Sequence, residues 1–289
     1  MVAKFITDRI ATWLVAASAM VCFLVLLAIA VFIFKDGLPA FREIGIFDFL
    51  FGTVWRPGQD QYGIAGMIIG SLLVTAGSLL LAVPLGIACA ILLAEVAPYR
   101  VRQIIRPAVE LLVGIPSVVY GLVGLVLLVP AIGRIAGSGF SVLAASIVLM
   151  AMVLPTIISI TEDSIRAVPV SYKEGALALG ATHWQAIRQV ILPAAKSGIG
   201  AAVVLGMGRA VGETMAMIMV IGNSILIPKS PFDPARTLTG NIAVEISYAT
   251  GVHESALFAT GIVLFLFILL LNSIAVISLK RGNHAPIVT

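Results

Sequence analysis

Charged residues are scarce in this sequence. Only 11% of the 289 residues are Asp, Glu, Lys or Arg, whereas about a quarter of an ordinary globular chain is charged. Hydrophobic residues make up 60%, and the mean hydropathy is +1.12. This balance excludes a cytosolic enzyme, a secreted disulfide-rich domain and a disordered tail. The sequence therefore predicts a membrane protein.

Cysteine and histidine are equally sparse. Cys22 and Cys89 are far apart, each inside an apolar run, so neither a disulfide framework nor a thiolate metal site is expected. The histidines fall outside the apolar runs, at His183, His253 and His284. An intramembrane hydrolase would need a Ser/His, His-Glu-x-x-His or paired-Asp set inside those runs. The sequence predicts no metal site and no catalytic site.

A phosphate-binding loop is also missing. Such a loop needs Gly-Lys-Ser or Gly-Lys-Thr, and no lysine of this sequence follows a glycine. The chain is therefore not expected to carry an ATPase of its own. The net charge of +4 is spread along the sequence and not clustered, which argues against nucleic acid as a partner.

The sequence contains six apolar runs that are long enough to cross a membrane, at 10–34, 64–94, 108–132, 142–160, 199–226 and 256–279. Backbone polar groups must find partners within the chain when they lie in lipid, so each run is expected to be a helix. The prediction is an all-α membrane protein with six transmembrane helices.

Positive charge is unevenly distributed between the loops. One alternating set of segments carries eleven Lys and Arg residues and the other set carries six. The richer set comprises both termini, the loop between the second and third runs, and the loop 163–196. Because cytoplasmic segments carry the Lys/Arg excess, both termini are predicted to be cytoplasmic.

The loop 163–196 predicts two short helices joined by a turn. Ser171 is placed to cap the first helix, with Glu174 three residues later at capping-box spacing, and Gly180 is expected to end it. Thr182 is placed to cap the second, which carries an apolar side formed by Trp184, Ile187 and Ile191. An apolar side on a water-exposed hairpin needs a partner.

This loop resembles the cytoplasmic loop of permease subunits of type I ATP-binding-cassette importers. Their signature is Glu-Ala-Ala, three residues, Gly, nine residues, Ile, one residue and Leu-Pro. The sequence matches the spacing of this signature throughout. Two residues are conservative departures from it, Gly175 and Val190. The matching positions are Glu174, Gly175, Ala176, Gly180, Val190, Leu192 and Pro193. The resemblance implies the six-helix permease fold and a loop that couples to a separate ATPase subunit, which binds the ATP. The alternative is an amphipathic loop on the membrane surface.

The resemblance also suggests a division of the chain. Residues 1–62 would form an N-terminal transmembrane helix and an outer loop, residues 63–281 the permease core with the coupling loop 163–196, and residues 282–289 a cytoplasmic tail. Trp55 and Tyr62, in the outer loop, are expected at the membrane interface or against a partner. A short helix on the outer surface is expected near 238–246.

Two charged residues fall inside the fifth run. Counting along a helix places Arg209 near the middle of the membrane, where a charge costs roughly 2.5 to 3.5 kcal/mol unless it faces protein, water or a partner charge. Glu213, four residues on, would share its helix face. Either the two neutralise each other in a packed interface favoured by Gly206, Gly208 and Gly212, or both belong to the substrate route. In the second case Arg209 donates two hydrogen bonds to an anion through its planar fork, and Glu213 holds the geometry of Arg209 and is displaced or competes during passage.

The residues around this pair resemble the phosphate-specific transport permeases, specifically their C-type subunit. The resemblance rests on the segments 208–216, 110–121 and 237–241 and extends from about Trp55 to the end of the sixth run. It implies a bacterial inner-membrane subunit working with a second, A-type permease subunit, two copies of the cassette ATPase, an extracytoplasmic phosphate-binding protein and phosphate.

A group in the third run has two interpretations. Pro116 would kink the helix and Ser117 would satisfy the freed carbonyls, which is structural, or Glu110, Pro116, Ser117 and Tyr120 would act in gating. Glu110 is placed to pair with Arg106. Glu162 and Asp163, after the fourth run, are expected to be solvated or paired at the ATPase interface.

The leading hypothesis is a non-enzymatic membrane subunit of an ATP-driven phosphate importer. Within the same class, the alternative is a permease for another oxyanion or nutrient. From another class, the alternative is a secondary transporter, which would show more spans or paired broken helices in two inverted halves.

Overall fold

The structure is a computed structural model that describes residues 2–281, so the tail predicted at 282–289 lies outside the described residues. The chain is almost entirely helical. The helices are α1 (Val2–Glu43), α2 (Ile46–Phe51), α3 (Ala65–Ile91), α4 (Tyr99–Gly114), α5 (Ser117–Val123), α6 (Val129–Gly133), α7 (Val142–Arg166), α8 (Val170–Ala178), α9 (His183–Ala186), α10 (Leu192–Gly212), α11 (Met215–Val220), α12 (Leu238–Glu245) and α13 (Val252–Arg281). Three π-helical turns continue α3, α5 and α9, at Leu92–Val96, Gly124–Leu128 and Ile187–Ile191. Two short strands, β1 (Trp55–Arg56) and β2 (Gln61–Tyr62), pair antiparallel around a 3₁₀ turn at Pro57–Gln59.

Five of these helical segments are long and apolar enough to cross a membrane: Ala11–Glu43, Ala65–Val96, Val142–Arg166, His183–Gly212 and Val252–Ile277. A sixth span is formed if the bent pair Tyr99–Gly114 and Ser117–Gly133 counts as one. The predicted all-α membrane architecture is confirmed. The predicted third helix at 108–132 is wrong in its bounds, because the chain turns by 98° between the two members of that pair.

The core of the molecule lies where α3 packs along α7, with α10 against the other side of α7. Its buried residues are mostly aliphatic and include Val74, Leu149, Met152 and Ile157. Glycines let the backbones approach closely: a Cβ on Gly206 would lie 2.8 Å from Val153 and 3.0 Å from Ile157. Small residues at such contacts are the usual means of packing helices tightly in a bilayer.

The helix α1 packs almost entirely on α13, the last helix of the chain. The two run antiparallel, with Phe32 stacked edge-on against Phe258 at a centroid distance of 5.4 Å. Gly37 lies so close to α13 that a Cβ there would be 2.8 Å from the Ala259 nitrogen. The remaining faces of α1 are exposed.

The two ends of the bundle differ in character. One end, called here the α12 end, carries α2, the β1–β2 hairpin and α12, and the other, the α8–α9 end, carries the helical hairpin between α7 and α10. The helix predicted near 238–246 is present as α12. Its predicted position on the surface is wrong, because Leu238, Asn241 and Glu245 are buried. The assignment of the α8–α9 end and both termini to the cytoplasm stays a prediction.

The packing of α10 on α7 yields a matched prediction. We expect Gly206→Ala to destabilise the chain, because overpacking against Val153 and Ile157 costs about 1–3 kcal/mol and outweighs the gain of up to about 1 kcal/mol in helix propensity. Gly208→Ala, two residues away with nothing within 4 Å of its Cβ position, should keep only that gain. Thermal unfolding of the detergent-solubilised variants measures both, and equal shifts would contradict the described packing.

Candidate functional site

The helix α10 ends at Gly212, within the run predicted to be one continuous helix. Glu213 is extended, with ψ at 131°, and α11 begins at Met215. The predicted pairing of Arg209 with Glu213 is therefore wrong in this structure, and within residues 2–281 Arg209 forms no ion pair. The reason is local: the Glu213 carboxylate accepts a hydrogen bond from the Ala216 N–H at 3.2 Å, which satisfies one of the free donors at the start of α11.

Neighbouring hydroxyl groups hold this break in the fifth span. The Thr239 hydroxyl, in the first turn of α12, donates to the Glu213 carbonyl at 2.9 Å. The Thr214 hydroxyl donates to the Gly212 carbonyl at 3.3 Å. Thr237 accepts from the Gly240 N–H at 3.0 Å and so caps α12. The Glu213 carbonyl thus finds a partner on α12 and the Gly212 carbonyl finds one on Thr214, as polar groups must in a membrane.

Arg209 occupies the last turn of α10 and is half-buried. The glycines on either side, Gly208 and Gly212, have nothing within 4 Å of their Cβ positions. The packing predicted for these two glycines is therefore wrong, and only Gly206 of the predicted three makes a close interhelical contact within the described residues.

The third span is broken as well, at Ile115 and Pro116, both of which are extended. The Tyr120 hydroxyl reaches back across the break and donates to the Leu112 carbonyl at 2.9 Å. This role was predicted for Ser117, which makes no side-chain hydrogen bond within residues 2–281. Tyr120 is thus the residue that satisfies a freed carbonyl of α4.

The two broken spans meet at α5 and α11. A Cβ on Gly121 would lie 2.8 Å from the Ala216 Cα, so the two short helices are in close contact. This contact brings the two breaks together, with Tyr120 at the first and Glu213 at the second, although the two residues belong to different predicted groups.

Glu110, in contrast, belongs to an ion-pair network at the α8–α9 end. Arg106 contacts Glu110 at 3.2 Å, Asp163 at 3.2 Å and Glu162 at 3.6 Å, so the predicted Arg106–Glu110 pair is confirmed. Glu162 is only 2% exposed and is also paired with Arg166. The prediction of a solvated Glu162 is wrong, because a buried carboxylate here is held by two guanidinium groups.

The hairpin α8–α9 has the predicted two-helix form. α8 begins after Pro169, so Ser171 lies inside the helix and does not cap it, contrary to the prediction. Gly180 has φ at +86° and ends α8, with the Ala181 N–H donating to the Ala176 carbonyl at 3.1 Å, which is the Schellman pattern. Thr182 and Gln185 form a full capping box at the start of α9, as the spacing predicts for Thr182.

Some apolar residues of this hairpin are buried within the chain and others are exposed. Ile187 and Ile191 are buried against Ile165 and other residues of the chain itself, so they need no external partner. Trp184 is 58% exposed and Leu179 is 91% exposed. The surface left for a partner is therefore formed by these two residues and by the exposed side chains of Val170, Tyr172 and Leu177. Glu174 is also exposed.

The α12 end contains a buried network that the sequence analysis missed. Glu245 is 6% exposed and is contacted by Arg236 Nη1 at 2.6 Å, by Trp55 Nε1 at 2.9 Å and by His253 Nε2 at 2.9 Å. Trp55 is therefore buried, and its predicted place at a membrane interface is wrong. Tyr62 is also buried, and burial, followed by the neighbouring Asp60, raises the pKa of its phenol above the ordinary value.

Residues 82–282 match the family described as the binding-protein-dependent transport system inner membrane component. The chain belongs to this family and is a multi-pass inner membrane protein. It is 46% identical to the probable ABC transporter permease protein YqgH of Bacillus subtilis, over 90% of this chain and 88% of that protein. It is 37% identical to the phosphate transport system permease protein PstC of Mesorhizobium japonicum, over 96% of this chain and 91% of that protein.

Two solved structures share the fold at low sequence identity. One is a bacterial alginate ABC transporter in complex with a periplasmic protein bound to an alginate pentasaccharide, with a TM-score of 0.68, 18% identity, and coverage of 97% of this chain and 99% of that chain. The other is the MetNI methionine ABC transporter in an inward-facing conformation, with a TM-score of 0.64, 19% identity, and coverage of 80% and 100%. These similarities establish the permease fold.

The hydrogen bond across the third-span break yields a second prediction. We expect Tyr120→Phe to lower the free energy of unfolding by about 0.5–1.5 kcal/mol, the usual net value of one hydrogen bond. Ser117→Ala should change it by less than about 0.5 kcal/mol. Chemical or thermal unfolding of the two variants in the same detergent compares them. A larger loss of unfolding free energy in Ser117→Ala would show that Ser117, and not Tyr120, satisfies the freed carbonyl.

Proposed function

We propose that the chain is the C-type membrane subunit of an ATP-driven importer that carries inorganic phosphate across the inner membrane. The observation that carries this proposal is Arg209, a guanidinium inside a span with no carboxylate partner among the described residues. Relatives that cover nearly the whole chain are phosphate transport system permease proteins, which supports phosphate as the anion.

The physical argument starts from the cost of the charge. A guanidinium near the middle of a bilayer must face water, protein or an opposite charge. Glu213 is turned to the start of α11 instead, so the opposite charge has to come from elsewhere. A phosphate oxyanion suits the planar fork of arginine, which donates two parallel hydrogen bonds to it. Arg209 would therefore contact phosphate in transit. Glu213 would compete with phosphate for Arg209 only if the break in the fifth span became helical.

The rest of the machinery comes from other subunits. One permease chain of six spans does not enclose a route, so we infer a second, A-type permease subunit beside it. Two copies of a cassette ATPase would bind the ATP and dock on the α8–α9 hairpin at Glu174, Gly175, Ala176 and Gly180, with Leu192 and Pro193 leading back into α10. An extracytoplasmic phosphate-binding protein would dock at the α12 end. In this arrangement the chain performs no catalysis, and both termini lie in the cytoplasm.

The segment boundaries proposed from the sequence suit this assembly. Residues 1–62 would supply a peripheral helix and outer loop, and residues 63–281 the core with the coupling loop 163–196. Closure of the ATPase dimer would move the hairpin and turn the spans from inward-open to outward-open. ATP and the loaded binding protein must each bind one of these states better than the other for this to happen.

A permease for another oxyanion is the second candidate. The observation in its favour is the same Arg209, since a guanidinium binds sulfate or a carboxylate by the same geometry. Competition in the uptake assay distinguishes the two: excess unlabelled phosphate should block uptake of labelled phosphate, whereas sulfate or molybdate at the same concentration should not.

We expect Arg209→Gln and Arg209→Lys each to reduce phosphate uptake by at least about tenfold, because a point charge on lysine does not reproduce the bidentate fork. The measurement is uptake of labelled phosphate, normalised to assembled complex, in cells lacking other phosphate transporters. Arg134→Gln, which removes an exposed arginine at the α12 end, is the matched control and should keep uptake.

The double variant Arg209→Gln with Glu213→Gln tests the structural alternative. If the two side chains only neutralise each other in another conformation, the double variant should regain most of the uptake, because an uncharged pair costs less than one lone buried charge. If Arg209 contacts phosphate, the double variant should assemble and stay inactive. Near-normal uptake by the double variant would remove the contact assignment.

The docking role of the hairpin yields a further prediction. Gly180→Val puts a β-branched residue at φ +86°, where only glycine is free of strain, and should deform the end of α8 and reduce both ATPase co-purification and uptake. Gly251→Val is the matched control, since Gly251 also has positive φ and open space but lies at the α12 end. Equal loss of ATPase binding in both variants would show a general folding defect and contradict a specific docking role.

A further inference from the structure

Glu95 joins the α8–α9 hairpin to the second span. It lies on the π-helical turn Leu92–Val96, which continues α3 at its hairpin end. Its Oε2 contacts the Lys173 Nζ on α8 at 2.6 Å and the His183 Nε2 at the start of α9 at 3.6 Å. One carboxylate on a membrane span therefore contacts both helices of the hairpin.

The surroundings of this carboxylate are mostly apolar. Glu95 is only 13% exposed, and Lys173 is 31% exposed. Both line a cavity of about 210 Å³ whose other walls are apolar, among them Ile165 and Val168, except for the charged Arg166. Low local polarity strengthens an ion pair and makes a lone charge costly. The Glu95–Lys173 pair is thus more than a solvated surface contact.

The other contacts between the hairpin region and the spans are of a different kind. Ile187 and Ile191 pack on Ala90 and Ile165 in an apolar cluster, and apolar contacts are not directional. Within residues 2–281, the ion pairs between the hairpin 170–186 and a membrane span all end on Glu95. The chain itself joins the hairpin to α7 and α10, so the directional side-chain link that depends on Glu95 is the one between the hairpin and α3.

Glu95 also lies at the end of a span that packs on α7, which belongs to the most buried of the five continuous spans. α3 packs along the length of α7, and Gly86, nine residues before Glu95, lies directly against Ile157 of α7. Cores packed this closely move as units and do not deform gradually. A displacement of Lys173 would act through Glu95 on α3 and, with it, on α7.

We propose that Glu95 is a positioning residue that fixes the α8–α9 hairpin to α3, so that movement of the hairpin moves the α3–α7 pair. This inference rests on the proposed docking of the hairpin on an ATPase, and it adds the route by which that docking reaches the membrane core. Glu95 touches neither phosphate nor ATP in this proposal.

The test uses the complete transporter, with its ATPase and second permease subunit, reconstituted in liposomes with the phosphate-binding protein. The variants are Glu95→Gln, the charge exchange E95K/K173E, and the control Asp163→Asn. Asp163 is an exposed carboxylate at the same end that pairs with Arg106 instead of the hairpin. The first readout is phosphate imported per ATP hydrolysed, and the second is ATPase co-purification.

A third readout is independent of phosphate. Cys89 lies on α3 six residues before Glu95 and is half-buried, so its alkylation rate reports the movement of α3. In a Cys22→Ser background, the rate is followed by peptide mass spectrometry with and without nucleotide trapped in the ATPase. If transport of phosphate itself fails in the unaltered complex, the proposed substrate is wrong, but a nucleotide-dependent Cys89 rate still tests the link.

We expect the Glu95→Gln variant to retain the bound ATPase. Its ratio of phosphate imported to ATP hydrolysed should fall by about fivefold or more, a typical size for coupling between sites. Its Cys89 alkylation rate should no longer depend on nucleotide. The charge exchange should restore both, and Asp163→Asn should retain both. Unchanged coupling in Glu95→Gln would overturn the proposal. Loss of ATPase binding in Glu95→Gln would also overturn it, because Glu95 would then only support the fold of the hairpin. A charge exchange that restores neither coupling nor the nucleotide dependence would overturn it as well.

Discussion

The structure depends on one constraint, which is that every peptide group inside the membrane needs a hydrogen-bond partner. Continuous helices meet it by themselves, but two spans of this chain are broken, at Ile115–Pro116 and at Glu213–Thr214. Each break persists because a side chain from outside the break forms a hydrogen bond with a peptide group that has lost its partner in the helix. The Tyr120 hydroxyl and the Thr239 hydroxyl perform this task.

The breaks also determine where charge can lie. A helix that ends at Gly212 leaves Arg209 in its last turn, where a cation interacts favourably with the helix dipole. The carboxylate that would have neutralised it turns instead to the next helix. The close contact of Gly121 with Ala216 then places the two interrupted spans side by side. Under the proposed function, the features that stop the helices also place Arg209 where it would meet an anion.

The parts that could be predicted from the sequence are those governed by neighbouring residues. The apolar runs, the Thr182–Gln185 capping box and the turn at Gly180 depend on spacing of a few residues. Most of the errors concern contacts between distant segments, and the cap predicted for Ser171 is a local exception, since α8 begins at Val170. Trp55 is buried because it donates to Glu245, 190 residues later, and Glu162 is buried because Arg106 comes from another helix. The Arg209–Glu213 pairing failed for a related reason: four-residue spacing brings two side chains together only if the helix is continuous, and Thr239 and Ala216 stabilise its interruption.

The pairing of α1 with α13 has a consequence for how the chain is made. α1 precedes α13 in the chain, with the other spans between them, so α1 enters the bilayer long before the helix that it packs on exists. Until then it must be stable in lipid alone, without help from any other span. Its hydropathy of 2.9 is the highest of the five continuous spans, and the span His183–Gly212, which has several neighbours waiting when it emerges, has the lowest at 1.7. High hydropathy thus suits a span that is synthesised well before the helix on which it packs.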